Sequence, residues 1–371
     1  MRRILVIGAS GDKRLSGFGA ALASFPEVSM SLLPWADVLT DPAAVRRALQ
    51  PGDFLRLDSP GGDPETYRRI AALGGDASPV PEGHWRPGAA WFRGLSRLLR
   101  EAARCLEIGP IRPAVCTHDF GDALVMTDKL ACREALAAAD VPILPGFAAP
   151  ATVDALRALT AERRWPRCFV KPRWGSSGAG VLAWERDGYG DRAREQVTVA
   201  ADAEYDPETA TLTLRNSKRL RRYSPPLCEH ILARILADGA VVERWHPKVT
   251  VEGGPADLRV VCLGGAPAHR VARVGRGPVT NLHLDAARMS AEAFFDAAPT
   301  RTCERVEAVA RAVARAFPRT LVFGLDLHVD GRGAVRVIEV NAWGDHLPGV
   351  SFEGREVYSA EVAMLLARDA A

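Results

Sequence analysis

The segment Phe169-Val-Lys171-Pro172-Arg-Trp-Gly175-Ser176-Ser177-Gly178-Ala-Gly180-Val181 takes a lysine off an apolar run and follows it with three glycines and two serines. With so little side chain in the way, the N–H groups of such a loop can turn toward phosphate oxygens. Lys171 would supply a point charge for the same anion. The pattern is neither the helix-starting Gly-x-x-x-x-Gly-Lys-Ser/Thr loop nor the dinucleotide glycine fingerprint. Taken alone, it serves a hairpin turn equally well.

A second set lies near the carboxyl end, in Phe323-Gly324-Leu-Asp326-Leu and Val337-Ile338-Glu339-Val340-Asn341. On a strand, residues two apart share a face, so Glu339 and Asn341 emerge together from an apolar background. A buried carboxylate without a partner costs several kcal/mol and calls for a cation or a dense hydrogen-bond network. With Asp326 on the adjacent strand, three oxygen donors would converge, which suits Mg²⁺ shared with phosphates. The plainer reading is a buried acid paired with an arginine.

Arginines supply the third set: Asp257-Leu-Arg259-Val-Val-Cys-Leu, then Ala268-His-Arg270-Val-Ala-Arg273-Val. Arg259 and Arg273 sit in strands too apolar for exposed edges, where a guanidinium can stabilise a transferring phosphoryl group. Arg270 reads more readily as a surface group. Weaker signals are Gly8-Ala-Ser10-Gly11 and Leu57-Asp58-Ser59-Pro60-Gly61-Gly62. Each follows a strand of an α/β sheet, where ligands bind. His346, in a glycine-flanked loop, suits a structural partner better than a catalytic role.

The elements that must position these residues follow from periodicity. Apolar segments at 3–8, 29–34, 54–57 and 113–116 alternate with helical patterns near 17–24, 42–49 and 90–106. This is the signature of an open parallel α/β lobe over 1–120. A central lobe is expected over 121–242, with helices at 128–139 and 153–163 and a strand at 168–170. Residues 186–226 read as polar and irregular, with a strand-like 211–214 and a solvated basic run at 218–222. The last lobe, 243–371, is rich in strands (258–263, 268–273, 321–327 and 335–340). One helix, 303–317, lies among them, and another, 359–368, closes the chain.

Composition narrows the function classes. Of 371 residues, 48 are Lys or Arg and 45 are Asp or Glu, so the net charge of +3 is too balanced for a nucleic-acid-coating surface. No stretch approaches the roughly 20 apolar residues of a membrane helix, and the short apolar run after Met1-Arg2-Arg3 is a strand rather than a signal. Seven dispersed cysteines, none as Cys-x-x-Cys, argue against disulfides or zinc and for a reducing cytoplasm.

In chain order, these motifs resemble the ATP-grasp superfamily, in particular the carboxylate-amine ligases like glutathione synthetase and the ribosomal-protein glutamate ligases. The resemblance spans about 120–350. It rests on Thr127-Asp128-Lys129 opening a helix that ends in Val-Pro-Ile-Leu-Pro, the Lys-Pro-glycine loop, Val241-Val-Glu243-Arg-Trp245, the Asp-Leu-Arg strand, and the closing Asp…Glu-Val-Asn set. It implies an α/β chain whose N-terminal parallel domain precedes a two-lobed ATP-grasp fold.

By resemblance, Lys129 and Lys171 contact ATP phosphates, Gly175, Ser176, Ser177, Gly178 and Gly180 form a phosphate lid, and Glu243, Arg244 and Trp245 hold adenine. Asp326, Glu339 and Asn341 would ligate two Mg²⁺, with Mn²⁺ an alternative. Arg259 and Arg273 would face the transferred phosphate, and Asn281, in Val279-Thr-Asn-Leu-His283, would help hold the cluster. The usual glycines after Asn-Leu-His are Leu284-Asp285-Ala286 here, which leaves the acceptor side open. The implied reaction joins a small-molecule or peptide carboxylate to an amine through an acyl phosphate. A kinase of the same fold and a non-catalytic nucleotide-binding regulator are the alternatives, and a homo-oligomer stays open.

Overall fold

The computed structural model describes every residue except 189–193, 281–285, 344–346 and 370–371. Its first sheet has four parallel strands in the order Val28–Pro34, Arg2–Gly8, Phe54–Leu57, Val115–Cys116. The central strands are apolar over Ile4–Ile7 and, apart from Arg56, over Phe54–Leu57, because helices cover both faces. One face takes Ala89–Glu107, which buries Leu95, Leu98, Leu99 and Ala102. That helix crosses Pro64–Leu73 so closely that a Cβ on Gly94 would lie 1.8 Å from the Ile70 carbonyl oxygen. The other face takes the last helix, Val357–Asp369, whose Val362 and Leu365 pack with Ile4, Val6 and Phe54. Glu361 on that helix is buried against Arg56 Nε at 2.9 Å, and Arg56 Nη1 reaches Asp58 at 2.8 Å. The end of the chain is thus anchored to its first lobe.

The second sheet is antiparallel, in the order Gly146–Ala148, Ala240–Arg244, Arg167–Pro172, Leu182–Asp187, Arg194–Asp206, Thr211–Tyr223. Its last two members correct the expectation of an irregular excursion over 186–226. They form a hairpin of two 13-residue strands. The outer strand keeps Leu214 buried while its basic residues face solvent, so its composition resembles a loop although its backbone pairs on both sides of an irregularity at 217–220. Helix Leu227–Ala237 seals the back of this sheet with Ile231, Leu232 and Ile235.

The third sheet, also antiparallel, runs Ala287–Ser290, Ala266–Val274, Gly254–Leu263, Val322–Val329, Val335–Asn341. Helix Thr302–Ala316 covers it with Val306, Val309 and Val313 at helical spacing. A parallel bridge between Ile143 and Val337, with the Val337 N–H donating to the Pro142 carbonyl at 2.8 Å, ties this sheet to the central segment. Among the described residues, no helix is long and apolar enough to cross a membrane.

Candidate active site

Strand register assembles the first wall. Arg259 stands opposite Asp326 on one neighbouring strand, and Asp326 stands opposite Glu339 on the next. Gly324, two residues before Asp326, pairs with Asn341. On the other side, Asp257 pairs with both Arg273 and His328. Because side chains alternate along a strand, Asp257 and Arg259 share one face, as do Asp326 and His328. One face of an otherwise apolar sheet therefore carries two arginines, three carboxylates, a histidine and an amide.

The opposite wall comes from the second sheet. Lys171, on its central strand, is buried and donates to Glu243 Oε2 at 2.5 Å across the strand pair. Glu243 also receives Arg133 Nη1 at 3.2 Å. Lys129 opens helix Lys129–Ala138, whose N-cap Asp128 accepts the N–H groups of Leu130 and Ala131. Its Nζ reaches the Gly175 carbonyl at 2.6 Å and Glu339 Oε1 at 3.0 Å, so Lys129 joins the glycine loop to the third sheet.

The loop itself is wound tightly, with positive φ at Ser177 (57°), Gly178 (75°) and Gly180 (70°). At Gly180 a Cβ would lie 2.4 Å from Trp85 Nε1, so glycine is required there by both backbone and space.

Between the walls lies a cleft of about 820 Å³ with its open mouth, lined by Lys129, Lys171, Gly175, Ser176, Gly178, Glu243, Arg244, Arg273, Asp326 and Glu339. Leu144, Phe169, Val181 and Ile338 make part of its wall apolar. Ser177 and Asn341 line a second cavity, separated from the first by Gly175, Ser176, Ala179 and Glu339, which border both. The Trp245 ring packs at 5.2 Å from that of Phe169 rather than on the cleft. Arg259 stands behind Asp326, and Asn281 lies outside the described residues.

Lys248, Asp257, Thr280 and His328 line the cleft and escaped the sequence reading. Lys248 donates to Asp257 Oδ2 at 2.8 Å, and Thr280 also bonds that carboxylate. Asp257 takes Arg273 Nε at 2.7 Å on its other oxygen. His328 donates from Nε2 to the Pro247 carbonyl at 3.1 Å and leaves Nδ1 buried without a partner. Asp257 had a usable signal, since it alternates with Arg259 on an apolar strand. Lys248 had none, being one lysine in a coil.

The electrostatics follow from this packing. Burial raises the Asp257 carboxyl, but Arg273 and Lys248 outweigh it and bring the pKa down to about 2. Burial likewise raises Glu339, and the ammonium groups of Lys129 and Lys171 outweigh it, leaving a net downward shift. Burial, reinforced by Lys248, lowers His328 to about 4 and keeps it neutral. Asp326 Oδ1 lies 3.1 Å from Arg259 Nη1 and 3.2 Å from Arg273 Nη2. Yet Asp326 Oδ1 and Arg259 Nη1 are both buried without a properly directed hydrogen bond.

On or directly behind the walls stand Lys129, Arg133, Lys171, Arg244, Lys248, Arg259 and Arg273, against Glu243, Asp257, Asp326 and Glu339. Among the described residues, seven cations against four carboxylates leave a surplus of positive charge suited to a compact polyanion.

No protein-family model matches the sequence. Among solved structures, the chain is similar over nearly its whole length to D-cycloserine synthetase DcsG. That pair has a TM-score of 0.58 and 14% identity over 98% of this chain and 99% of that one. It is similar to the D-alanine–D-alanine ligase of Bacillus anthracis complexed with ATP, with TM-score 0.51 and 13% identity over 100% and 97%. It is also similar to the ATP-grasp ligase PsnB, complexed with a phosphomimetic variant of its minimal precursor, Mg and ADP. There the TM-score is 0.50, with 15% identity over 99% and 98%. At these identities the likeness is one of fold, and the chain has the ATP-grasp fold.

Proposed function

We propose that this chain is an ATP- and Mg²⁺-dependent ligase that joins a carboxylate to an amine through an acyl phosphate. The observation that carries the reading is the register pair Asp326–Glu339, set against Lys129, Lys171 and the glycine loop in a cleft with surplus positive charge. In this reading residues 1–120 form the preceding α/β domain, 121–242 the central lobe with its glycine lid, and 243–371 the lobe with the metal site. Similar folds whose structures hold ATP, or Mg and ADP, support the choice of nucleotide and metal.

The donor set fits the metal. Among the described residues no three His, Cys, Asp or Glu side chains gather, so the set is two carboxylates and the amide of Asn341. Mg²⁺ is commonly held this way, by one or two carboxylates with substrate phosphates and water completing its shell. Asp326 Oδ1, buried without a hydrogen bond, is an oxygen that a cation would satisfy. Bound there, Mg²⁺ would neutralise phosphate charge.

The chain's own groups would do the rest. The apolar walls at Leu144, Phe169 and Ile338 suit a flat base, while Lys129, Lys171 and the N–H groups of 175–180 suit the phosphates. A substrate carboxylate oxygen attacks the γ-phosphorus and the bond to ADP breaks. Arg273, held by Asp257, faces the charge that spreads over the transferring group, while Arg259 acts from behind Asp326. The loop excludes water from the acyl phosphate, and an amine nitrogen then attacks the acyl carbon, losing a proton as phosphate leaves.

ADP release by purified protein, with pooled carboxylates and amines, tests this for the wild type and Glu339→Ala. Turnover that needs both pools and vanishes in the variant is expected. Turnover with a carboxylate or alcohol alone would identify a kinase, and ATP binding without turnover a regulator.

A further inference from the structure

A trough of about 2300 Å³, counted with its open mouth, lies between the outer hairpin strand Thr211–Tyr223 and the third sheet. One bank carries Lys218, Arg219 and Arg222. The other carries Arg276, from the loop after Ala266–Val274, and Arg288, from the edge strand Ala287–Ser290. The banks approach where a Cβ on Gly277 would lie 2.9 Å from Leu220 Cδ1. Pro278 and Val279 line both the trough and the first cleft, so the two spaces adjoin.

The cations of the trough differ from their neighbours on the same hairpin. Arg221 pairs with Asp202 at 3.0 Å and Arg215 lies 4.0 Å from Glu204, each on the adjacent strand. Lys218, Arg219, Arg222 and Arg276 have no such carboxylate among the described residues. The acids in the described lining are Glu185 and Glu252. Glu185 is engaged already, accepting from Gln196 Nε2 at 2.6 Å and lying 3.8 Å from Arg167. Like charges gathered from separate chain segments repel one another, and an anion lying among them relieves the repulsion.

Two features say what kind of anion fits. Leu220, Val274, Val279 and Met289 stand half-buried among the cations, so charge is interspersed with apolar surface. Among the described residues, Trp245 is the one aromatic ring in the lining, and it is flanked by Phe169 at 5.2 Å and Arg167 at 5.8 Å. Unpaired bases would find no open stacking platform there. We propose that the trough docks an acidic polypeptide segment with apolar side chains between its carboxylates, and holds it beside the first cleft. Its carboxylates meet Lys218, Arg219, Arg222 and Arg276, and its apolar groups cover Leu220, Val279 and Met289.

Fluorescence polarisation with the full-length protein tests this, using a labelled peptide of Glu-Glu-Leu repeats. A Gln-Gln-Leu peptide and a thymidine oligonucleotide of equal length are the comparisons. The acidic peptide is expected to bind at least about tenfold more tightly than either, and to weaken as salt is raised. Arg222→Glu combined with Arg276→Glu, one on each bank, should weaken it about tenfold or more. Arg100→Glu, an exposed arginine of the helix Ala89–Glu107 outside the trough, should change it by less than about twofold. Urea midpoints should match the wild type in all variants, since each replaced side chain is exposed. Absent binding of the acidic peptide, equal binding of the Gln-Gln-Leu peptide, or an equal loss in Arg100→Glu overturns the proposal. Tighter binding of the oligonucleotide also overturns it and assigns the trough to nucleic acid.

Discussion

Asp326 and Glu339 face each other across an antiparallel strand pair, immediately beside a bulge that takes Ile338 out of register. Without that extra residue the alternation after Glu339 would run out of phase with the strand before it, and a one-residue slip turns side chains to the opposite face. The bulge thus lets the strand present Glu339 and Asn341 toward Asp326 while Val337 and Val340 stay in the core.

From this relationship, Asp326→Asn and Glu339→Gln should each lower ADP release by on the order of 10²–10³. Both keep the side-chain shape and remove the charge. Urea unfolding should show a smaller loss than for Glu243→Gln, because Asp326 and Glu339 line the open cleft, where solvent can reach the cations they leave behind. Loss of activity together with loss of fold would assign these residues to structure instead.

Lys171 and Glu243 behave differently, because both are buried and bonded to each other at 2.5 Å. Glu243→Gln leaves an ammonium without its counter-charge and should destabilise the protein by about 3–5 kcal/mol. Adding Lys171→Met should restore much of that stability without restoring turnover. Urea midpoints for the two single variants and the double variant measure the coupling. Additive losses would mean that the pair does not interact.

The parts of this site legible in sequence were those encoded locally. Lys171 through Gly180 announces itself by glycine spacing, and Glu339 and Asn341 by polar residues alternating inside an apolar strand. The place of His328 and the pairing of Asp257 with Arg273 are products of register between strands far apart in the chain, and Lys248 comes from a coil, so no local pattern records them. The hairpin 194–223 misled for another reason. Its outer strand buries little beyond Leu214, so the hydrophobic alternation that identifies strands is nearly absent although the backbone pairs on both sides of 217–220.

Gly180→Ala should separate the loop's geometry from the stability of the whole. The new Cβ would lie 2.4 Å from Trp85 Nε1 at a φ of 70°, a cost of about 1–3 kcal/mol. A raised KM for ATP is expected with it, since relieving the clash must move the loop. Gly11→Ala, at φ 80° with nothing within 4 Å, meets the backbone strain alone and should leave KM unchanged. Equal KM values in the two variants would show that the loop's close approach to Trp85 does not matter.

The pH dependence of stability should carry the mark of His118. This residue is buried between the first sheet and the strand bearing Asn341, donating from Nε2 to the Ala342 carbonyl at 2.8 Å while Nδ1 accepts from Thr117 at 2.8 Å. Burial, with Arg56 nearby, lowers its pKa from 6.5 to about 4. Above pH 6.5 the ring is neutral in both folded and unfolded chains and makes no pH-dependent contribution. As pH falls from 6.5 toward 4 the unfolded chain takes up the proton first, so stability drops by the order of 3 kcal/mol. His328 shifts in the same direction and adds to the slope. Urea unfolding at pH 7, 5.5 and 4.5 should show this decline in the wild type and a shallower one in His118→Asn, whose amide keeps a donor for Ala342. Identical slopes would mean that His118 is not held neutral in the folded protein.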